Sequence, residues 1–185
     1  MRVLAISGSL RSGSHNSKLL RAAGELLPND VELEIWDGLK VVPPYDEDDD
    51  TESAPAAVTR LREAIAGADA LLIATPEYNQ SIPGQLKNAV DWASRPIATN
   101  VLRNKPVAVI GASSGAFGAV WSQAELRKVL AATGARVADT EVALGHAHER
   151  FDGEGRLTDD DLRGQLREVV DTLLAEARPR TFAAA

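Results

Sequence analysis

Apolar and polar residues fall into blocks along this chain, and the blocks switch between two periods. Arg2-Val3-Leu4-Ala5-Ile6-Ser7, Asp69 to Thr75, and Lys105-Pro106-Val107-Ala108-Val109-Ile110-Gly111 are short, nearly unbroken apolar runs, which predict strands buried on both faces. Val31-Glu32-Leu33-Glu34-Ile35-Trp36 alternates, so its strand has one face less buried. A short last strand is predicted from Arg136 to Ala138, running on to Val142. Between these runs the spacing turns helical. One helix carries Lys18 to Ala23 and ends near Pro28; the next spans about Ala54 to Ala66 and is closed by Gly67. Leu86, Val90 and Ala93 mark a third, ending near Ser94-Arg95-Pro96, and Val120 to Thr133 a fourth, stopped by Gly134. Thr158-Asp159-Asp160-Asp161 caps a fifth, with Leu162, Leu166, Val169, Val170, Leu173 and Leu174 on one face.

Five strands alternating with five helices, without internal repeat or compositional break, predict one α/β domain over residues 1–178, followed by a frayed tail over 179–185. Right-handed crossovers would give a parallel sheet with helices on both faces. The loops after the first, third and fourth strands then leave from one sheet edge, near the point where strand order reverses, and that is where open α/β sheets bind ligands.

Composition narrows the chemistry. The chain has 185 residues, 44% of them hydrophobic and 25% charged, as in ordinary globular proteins. No apolar run approaches the length of a membrane span, and the cytoplasm is the expected location. A net charge of -7 argues against a nucleic-acid partner. The absence of cysteine removes disulfides, thiol nucleophiles and iron–sulfur ligation, so any redox chemistry must come from a bound cofactor.

The three loops carry the candidate residues. Ser7-Gly8-Ser9-Leu10-Arg11-Ser12-Gly13-Ser14-His15-Asn16-Ser17 opens a helix with hydroxyls, an amide and a guanidinium, a donor set suited to a phosphate dianion. Ser14-His15 stands where a Walker loop needs Lys-Ser/Thr, and the G-x-G-x-x-G dinucleotide fingerprint is absent. The alternative is a plain helix cap by Ser14 or Asn16. In Thr75-Pro76-Glu77-Tyr78-Asn79-Gln80-Ser81-Ile82-Pro83-Gly84, Pro76 stops the strand, Tyr78 offers a ring or a phenol, and Asn79 a donor and an acceptor. Ser81 is a candidate N-cap, with Pro83 in the first helical turn. Gly111-Ala112-Ser113-Ser114-Gly115 lacks bulk, so its backbone could approach a planar ring. His146 and His148 read as surface histidines rather than a metal pair, and Asp46 to Asp50 as a solvated loop or interface rim. Trp92 and Trp121 read as core or interface residues, and Asp91 and Glu125 as surface partners of Arg95 and Arg127.

Two motifs carry a family resemblance: Gly8-Ser9-x-Arg11-x-x-Ser14-x-Asn16, and Pro76-Glu77-Tyr78-Asn79-x-Ser81-x-Pro83-Gly84-x-Leu86-Lys87-Asn88-x-Val90-Asp91-Trp92. With Gly111-Ala112-Ser113-x-Gly115 and Phe151-Asp152-x-x-Gly155-x-Leu157, the chain resembles the NADPH-dependent FMN reductases, which include quinone, chromate and azo reductases. The resemblance implies a flavodoxin-like three-layer sandwich around a five-stranded parallel sheet of order 2-1-3-4-5. It implies FMN, with Ser9, Arg11, Ser14, Asn16 and Ser17 on its phosphate. Pro76, Glu77, Tyr78 and Asn79 would line the ring system, Ser113 to Gly115 its pyrimidine side, and Tyr78 would wall the acceptor space. It further implies NADPH or NADH as co-substrate, a small-molecule electron acceptor, and a homodimer or homotetramer with Val42 to Asp48 near the interface. One departure stands out: Ala119-Val120-Trp121 occupies the place where the family pattern has a glycine and an arginine.

The implied activity is reduction of quinones, azo compounds or oxidised metal species such as chromate, with the chemistry on the flavin and no side chain needed as general acid or base. A flavodoxin-type electron carrier or a flavin-binding regulator is the alternative. Carriers of that type have a Thr/Ser-x-Thr-Gly-x-Thr loop, which Ser7-Gly8-Ser9-Leu10-Arg11-Ser12 does not match.

Overall fold

The computed structural model of the protein describes residues 1–178, and the tail expected over 179–185 lies outside them. Strands β1 (Arg2–Ser7), β2 (Glu32–Trp36), β3 (Ala70–Thr75), β4 (Pro106–Ala112) and β5 (Arg136–Val137) form a parallel sheet in the order β2-β1-β3-β4-β5. Helices α1 (His15–Gly24), α2 (Ala56–Ala66), α3 (Gly84–Ala93), α4 (Val120–Ala132) and α5 (Asp160–Ala177) cover it. Because successive side chains of a strand point to opposite faces, the apolar runs divide into two cores. Val3, Ala5, Leu72 and Ile110 pack under α1 and α5 with Leu19, Leu20, Leu166 and Val170. Leu4, Ile6, Ile73 and Val109 face the other way, onto Leu61, Leu86, Trp92 and Leu126 of α2, α3 and α4. Trp92 is thus a core residue, whereas Trp121 is exposed. Among the described residues no helix is long and apolar enough to cross a membrane.

The last strand, expected to run unbroken to Val142, is two pieces. β5 pairs with the start of β4 through Pro106 and Val107, and a sixth strand, β6 (Ala143–Leu144), pairs with its end at Gly111 and Ala112. Between them the chain leaves the sheet, where Arg127 of α4 donates to the Thr140 carbonyl and pairs with Glu141 at 2.6 Å. Arg127 is therefore not the partner of Glu125. Asp91 pairs not with Arg95 but with Lys87, one helical turn earlier, at 2.7 Å.

Helix ends refine the expected boundaries. α1 begins at His15, earlier than its periodic stretch, because Ser14 caps it by accepting the Ser17 amide at 3.2 Å. α3 begins at Gly84 with Pro83 in the cap position and no side-chain cap. Ser81 is thus not the cap; its hydroxyl donates to Glu125 at 2.6 Å. Gly134 ends α4 in the left-handed region at φ 87°, while Gly67 stays right-handed and serves by leaving room for the Arg2 guanidinium.

Candidate functional site

Strands β1, β3 and β4 are neighbours, so the loops at their C-terminal ends meet. They enclose a cleft of about 310 Å³ walled by Ser9, Arg11, His15 and Asn16, by Pro76, Glu77 and Tyr78, and by Ala112, Ser113 and Ser114. A volume of that order suits a small molecule. The first two loops touch because of Gly8, whose amide donates to Ala74 O at 2.8 Å. A Cβ there would stand 2.7 Å from Leu86 Cδ2 and 3.1 Å from Pro76 Cδ.

The first loop is held largely by its own short polar side chains. Ser7 Oγ accepts the Ser17 hydroxyl at 3.1 Å, and Arg11 donates to the Gly13 carbonyl at 2.9 Å while its guanidinium reaches the cleft. Ser14 and Ser17 are engaged in the cap and in this hydroxyl contact, behind the wall rather than in it. Asn16 is buried and bonds both ways to the backbone of Ala112, donating to its carbonyl and accepting its amide, each at 3.0 Å. It therefore clamps the first loop to the third, and one amide hydrogen remains for a ligand. The amides of His15 and Asn16, at the first two positions of α1, have no partner within the helix and stand at the positive end of its dipole.

The second loop folds into a tight hairpin. Tyr78 and Ser81 exchange backbone bonds at 3.2 and 3.1 Å across Asn79 and Gln80, both left-handed at φ 52° and 60°. Two non-glycine residues with positive φ are the signature of a type I′ turn, and an asparagine tolerates it best. Two carboxylates hold this hairpin against α4. Glu77 accepts the amides of Trp121 and Ser122, each at 3.1 Å, and so caps that helix from a distance in sequence. Glu125 reaches back from α4 to the Ser81 hydroxyl. Thr75 and Ser122, both buried, share a hydroxyl contact at 2.8 Å. Tyr78 is 59% exposed at the cleft mouth; Phe117, 65% exposed, and Trp121 stack edge to face with centroids 5.0 Å apart. Asn79 lies in the turn, outside the cleft wall.

In the third loop Ser113 donates its amide to Leu144 O, accepts the Ala147 amide, and its hydroxyl accepts the Gly115 amide at 3.1 Å. Gly115 is thereby occupied within the turn. Among the described residues Ser114, which lines the cleft, has no such bond to its own amide.

Two roles are not legible in the sequence: that of His15, and that of Glu125, which reads there only as a surface ion-pair partner; Ser114 falls within the expected span Ser113 to Gly115. His15 enters the sequence pattern only as a departure from a Walker loop, yet it lines the cleft and its buried Nδ1 has no partner. Burial first, then Arg11, Lys18 and His148, push its pKa below the usual 6.5. His146 and His148 have ring centroids 6.4 Å apart, and among the described residues no group of three His, Cys, Asp or Glu could hold a metal.

The donor chemistry suits FMN. Ser9, Arg11 and His15 line the cleft where α1 begins, a donor set that a phosphate requires, and the carboxylate in the wall, Glu77, is engaged by two amides of α4. Comparison with known proteins agrees. The family described as NADPH-dependent FMN reductase matches residues 1–149. An NAD(P)H-dependent FMN reductase of Pseudomonas aeruginosa is 45% identical over 94% of this chain and 93% of its own. A 2-hydroxy-1,4-benzoquinone reductase of a Burkholderia species is 38% identical over 97% of this chain and 98% of its own. The solved structure of FerB, a flavoenzyme NAD(P)H:(acceptor) oxidoreductase from Paracoccus denitrificans, superimposes with a TM-score of 0.84 at 36% identity, covering 95% of this chain and 98% of that one. With its parallel sheet, its three-loop cleft and these relatives, this chain belongs to the NADPH-dependent FMN reductase family.

Proposed function

We propose that the cleft holds FMN and that the protein is an FMN-dependent oxidoreductase, using NADPH or NADH to reduce small electrophilic acceptors, quinones first. The observation that carries this is the convergence of a cationic, amide-rich loop and a tyrosine-bearing loop on one cleft. Ser9, Arg11 and the first turn of α1 would hold the phosphate, with Ser14 and Ser17 shaping the loop and Asn16 clamping it. Pro76, Glu77, Tyr78 and Asn79 would border the ring system, with Ser113, Ser114 and Gly115 on its far side.

Bound FMN would supply the redox chemistry, namely hydride transfer from a nicotinamide and electron transfer to an acceptor. The chain's own residues position and shield. Arg11 offers a fixed positive charge with forked donors, and Glu77 and Glu125 stiffen the hairpin carrying Tyr78. Tyr78, in the cleft wall and 59% exposed, offers an open aromatic face, which suits planar quinones. Azo compounds and oxidised metal species such as chromate are electrophiles that the same open mouth would admit.

We also assign residues 1–178 to one working domain, acting in the cytoplasm as a homodimer or homotetramer. The segment from Val42 to Asp48 is the proposed subunit contact, because Asn88 and Trp92 pin Pro43 and Tyr45 to α3 as a fixed surface. Light scattering of the eluting protein reads the subunit number.

The test of function is the absorption spectrum of protein reconstituted with FMN, before and after NADPH under argon. Uptake of FMN and bleaching by NADPH, with colour returning on addition of a quinone, is the expected result. Protein that takes up no FMN would overturn the assignment, and a flavin that stays oxidised with both NADPH and NADH would favour the carrier or the regulator.

A further inference from the structure

The geometry points to His15 as a proton-linked anion latch: we propose that its imidazole takes up a proton when the FMN phosphate enters the cleft and then donates to that phosphate. The proposal rests on the FMN assignment above and adds to it a specific pH dependence of cofactor retention.

Three observations lead to it. His15 is the first residue of α1 and its ring lines the cleft beside Arg11, so it sits with the donors that face an incoming anion. Its Nδ1 is buried with no hydrogen-bond partner, although a buried polar nitrogen is ordinarily satisfied. Its charged surroundings are cationic. Arg11 faces it from the loop, Lys18 from the next turn of α1 and His148 from the turn before Phe151. Phe151 lies parallel to the ring, with centroids 6.1 Å apart and Lys18 Nζ 5.5 Å from its own centroid. Glu149, the nearby carboxylate, pairs with His148 at 3.2 Å.

A cation is therefore disfavoured at His15 while the cleft is empty of anion. A phosphate dianion reverses the sum, because its two negative charges stand against the same Arg11 and Lys18 and the desolvated imidazolium gains a counterion. Binding then consumes up to one proton, taken from solvent and carried on the ring. The signs follow by linkage. In the flavin-free protein the His15 pKa is lowered from 6.5, so the unfolded chain binds the proton first and His15 lowers stability as pH falls through that value. In the flavin-bound protein its pKa is raised, so FMN affinity falls as pH rises between the two values.

The test follows the histidine ring resonances in the flavin-free protein and with FMN or riboflavin bound. The chain has 3 histidines, so loss of one signal in His15→Gln assigns the residue. The expected result is a His15 titration below 6.5 without flavin, above it with FMN, and unmoved by riboflavin, which lacks the phosphate. Between pH 8 and 6.5, above the second ionisation of the phosphate, the FMN dissociation constant should rise with pH by up to about tenfold per unit, and that slope should vanish in His15→Gln. His15→Lys, with its permanent charge, should bind FMN with the slope equally absent. An FMN complex in which His15 titrates as in the free protein, or in which His15→Gln keeps the slope, would overturn the latch and leave the FMN assignment standing. Failure of the wild type to bind FMN would overturn both.

Discussion

The first and second loops wall the same cleft but are built differently. In the first, serines bond their own neighbours: Ser14 caps α1 three residues on and Ser17 reaches back to Ser7, with one long-range clamp from Asn16 to Ala112. The second makes a four-residue hairpin and then depends on α4, through Glu77 on the Trp121 and Ser122 amides and Glu125 on Ser81. The proposed phosphate end is thus largely self-assembled, while the proposed ring end is only as rigid as its helix. This division suits the two tasks. A phosphate needs fixed donors, whereas the ring end must also admit a nicotinamide and an acceptor in turn.

The contrast can be broken by mutation, and the largest effect is expected at the long-range clamp. Asn16→Ala leaves a buried amide and carbonyl of Ala112 unpaired, at about 1–3 kcal/mol for each group. At roughly 2–4 °C per kcal/mol for a chain of this size, thermal melting should fall by about 4–24 °C; a shift within 1–2 °C would mean that water replaces the clamp. Next is Arg11→Ala, which removes a charged donor worth about 1.5–3 kcal/mol, so FMN should bind on the order of 10–100-fold more weakly by fluorescence quenching. Riboflavin should bind this variant like the wild type; an equal loss for both flavins would move Arg11 away from the phosphate.

Glu77→Ala tests the other end. It removes the cap of α4 and should lower stability by about 1–2 kcal/mol. FMN and riboflavin should weaken together, because the damage lies at the ring they share. The smallest effect is expected from Glu125→Gln, about 0.5–1.5 kcal/mol in chemical denaturation. Combined with Glu77→Ala it should deviate from additivity, since both carboxylates hold one hairpin. Strict additivity would show that the hairpin does not need them jointly.

Much of this architecture was readable before any coordinates. The apolar runs of β1, β3 and β4 named the central strands, because strands buried on both faces admit few polar residues. The expected sheet order stands in the structure. The extension of the last strand to Val142 is not seen, and the segment that leaves the sheet is contacted by Arg127, a residue of another element that local pattern does not bring into view. Local pattern makes Ser81 a candidate cap, but a carboxylate from α4 accepts its hydroxyl instead.

The sequence by itself determined the alternation of strands and helices, the three loops that share an edge, and the motifs that identify the family. Those rest on periodicity, turn chemistry and residue type, which act between near neighbours. Only the tertiary structure decided that Asn16 clamps Ala112, that Glu77 caps α4, and that His15 stands among cations with an unpaired nitrogen. The clamp and the cap depend on groups far apart in the chain becoming adjacent, and His15, whose cations Arg11 and Lys18 are local, on the arrival of His148 and Phe151 beside it, in places where a single unpaired polar atom or charge outweighs local preference.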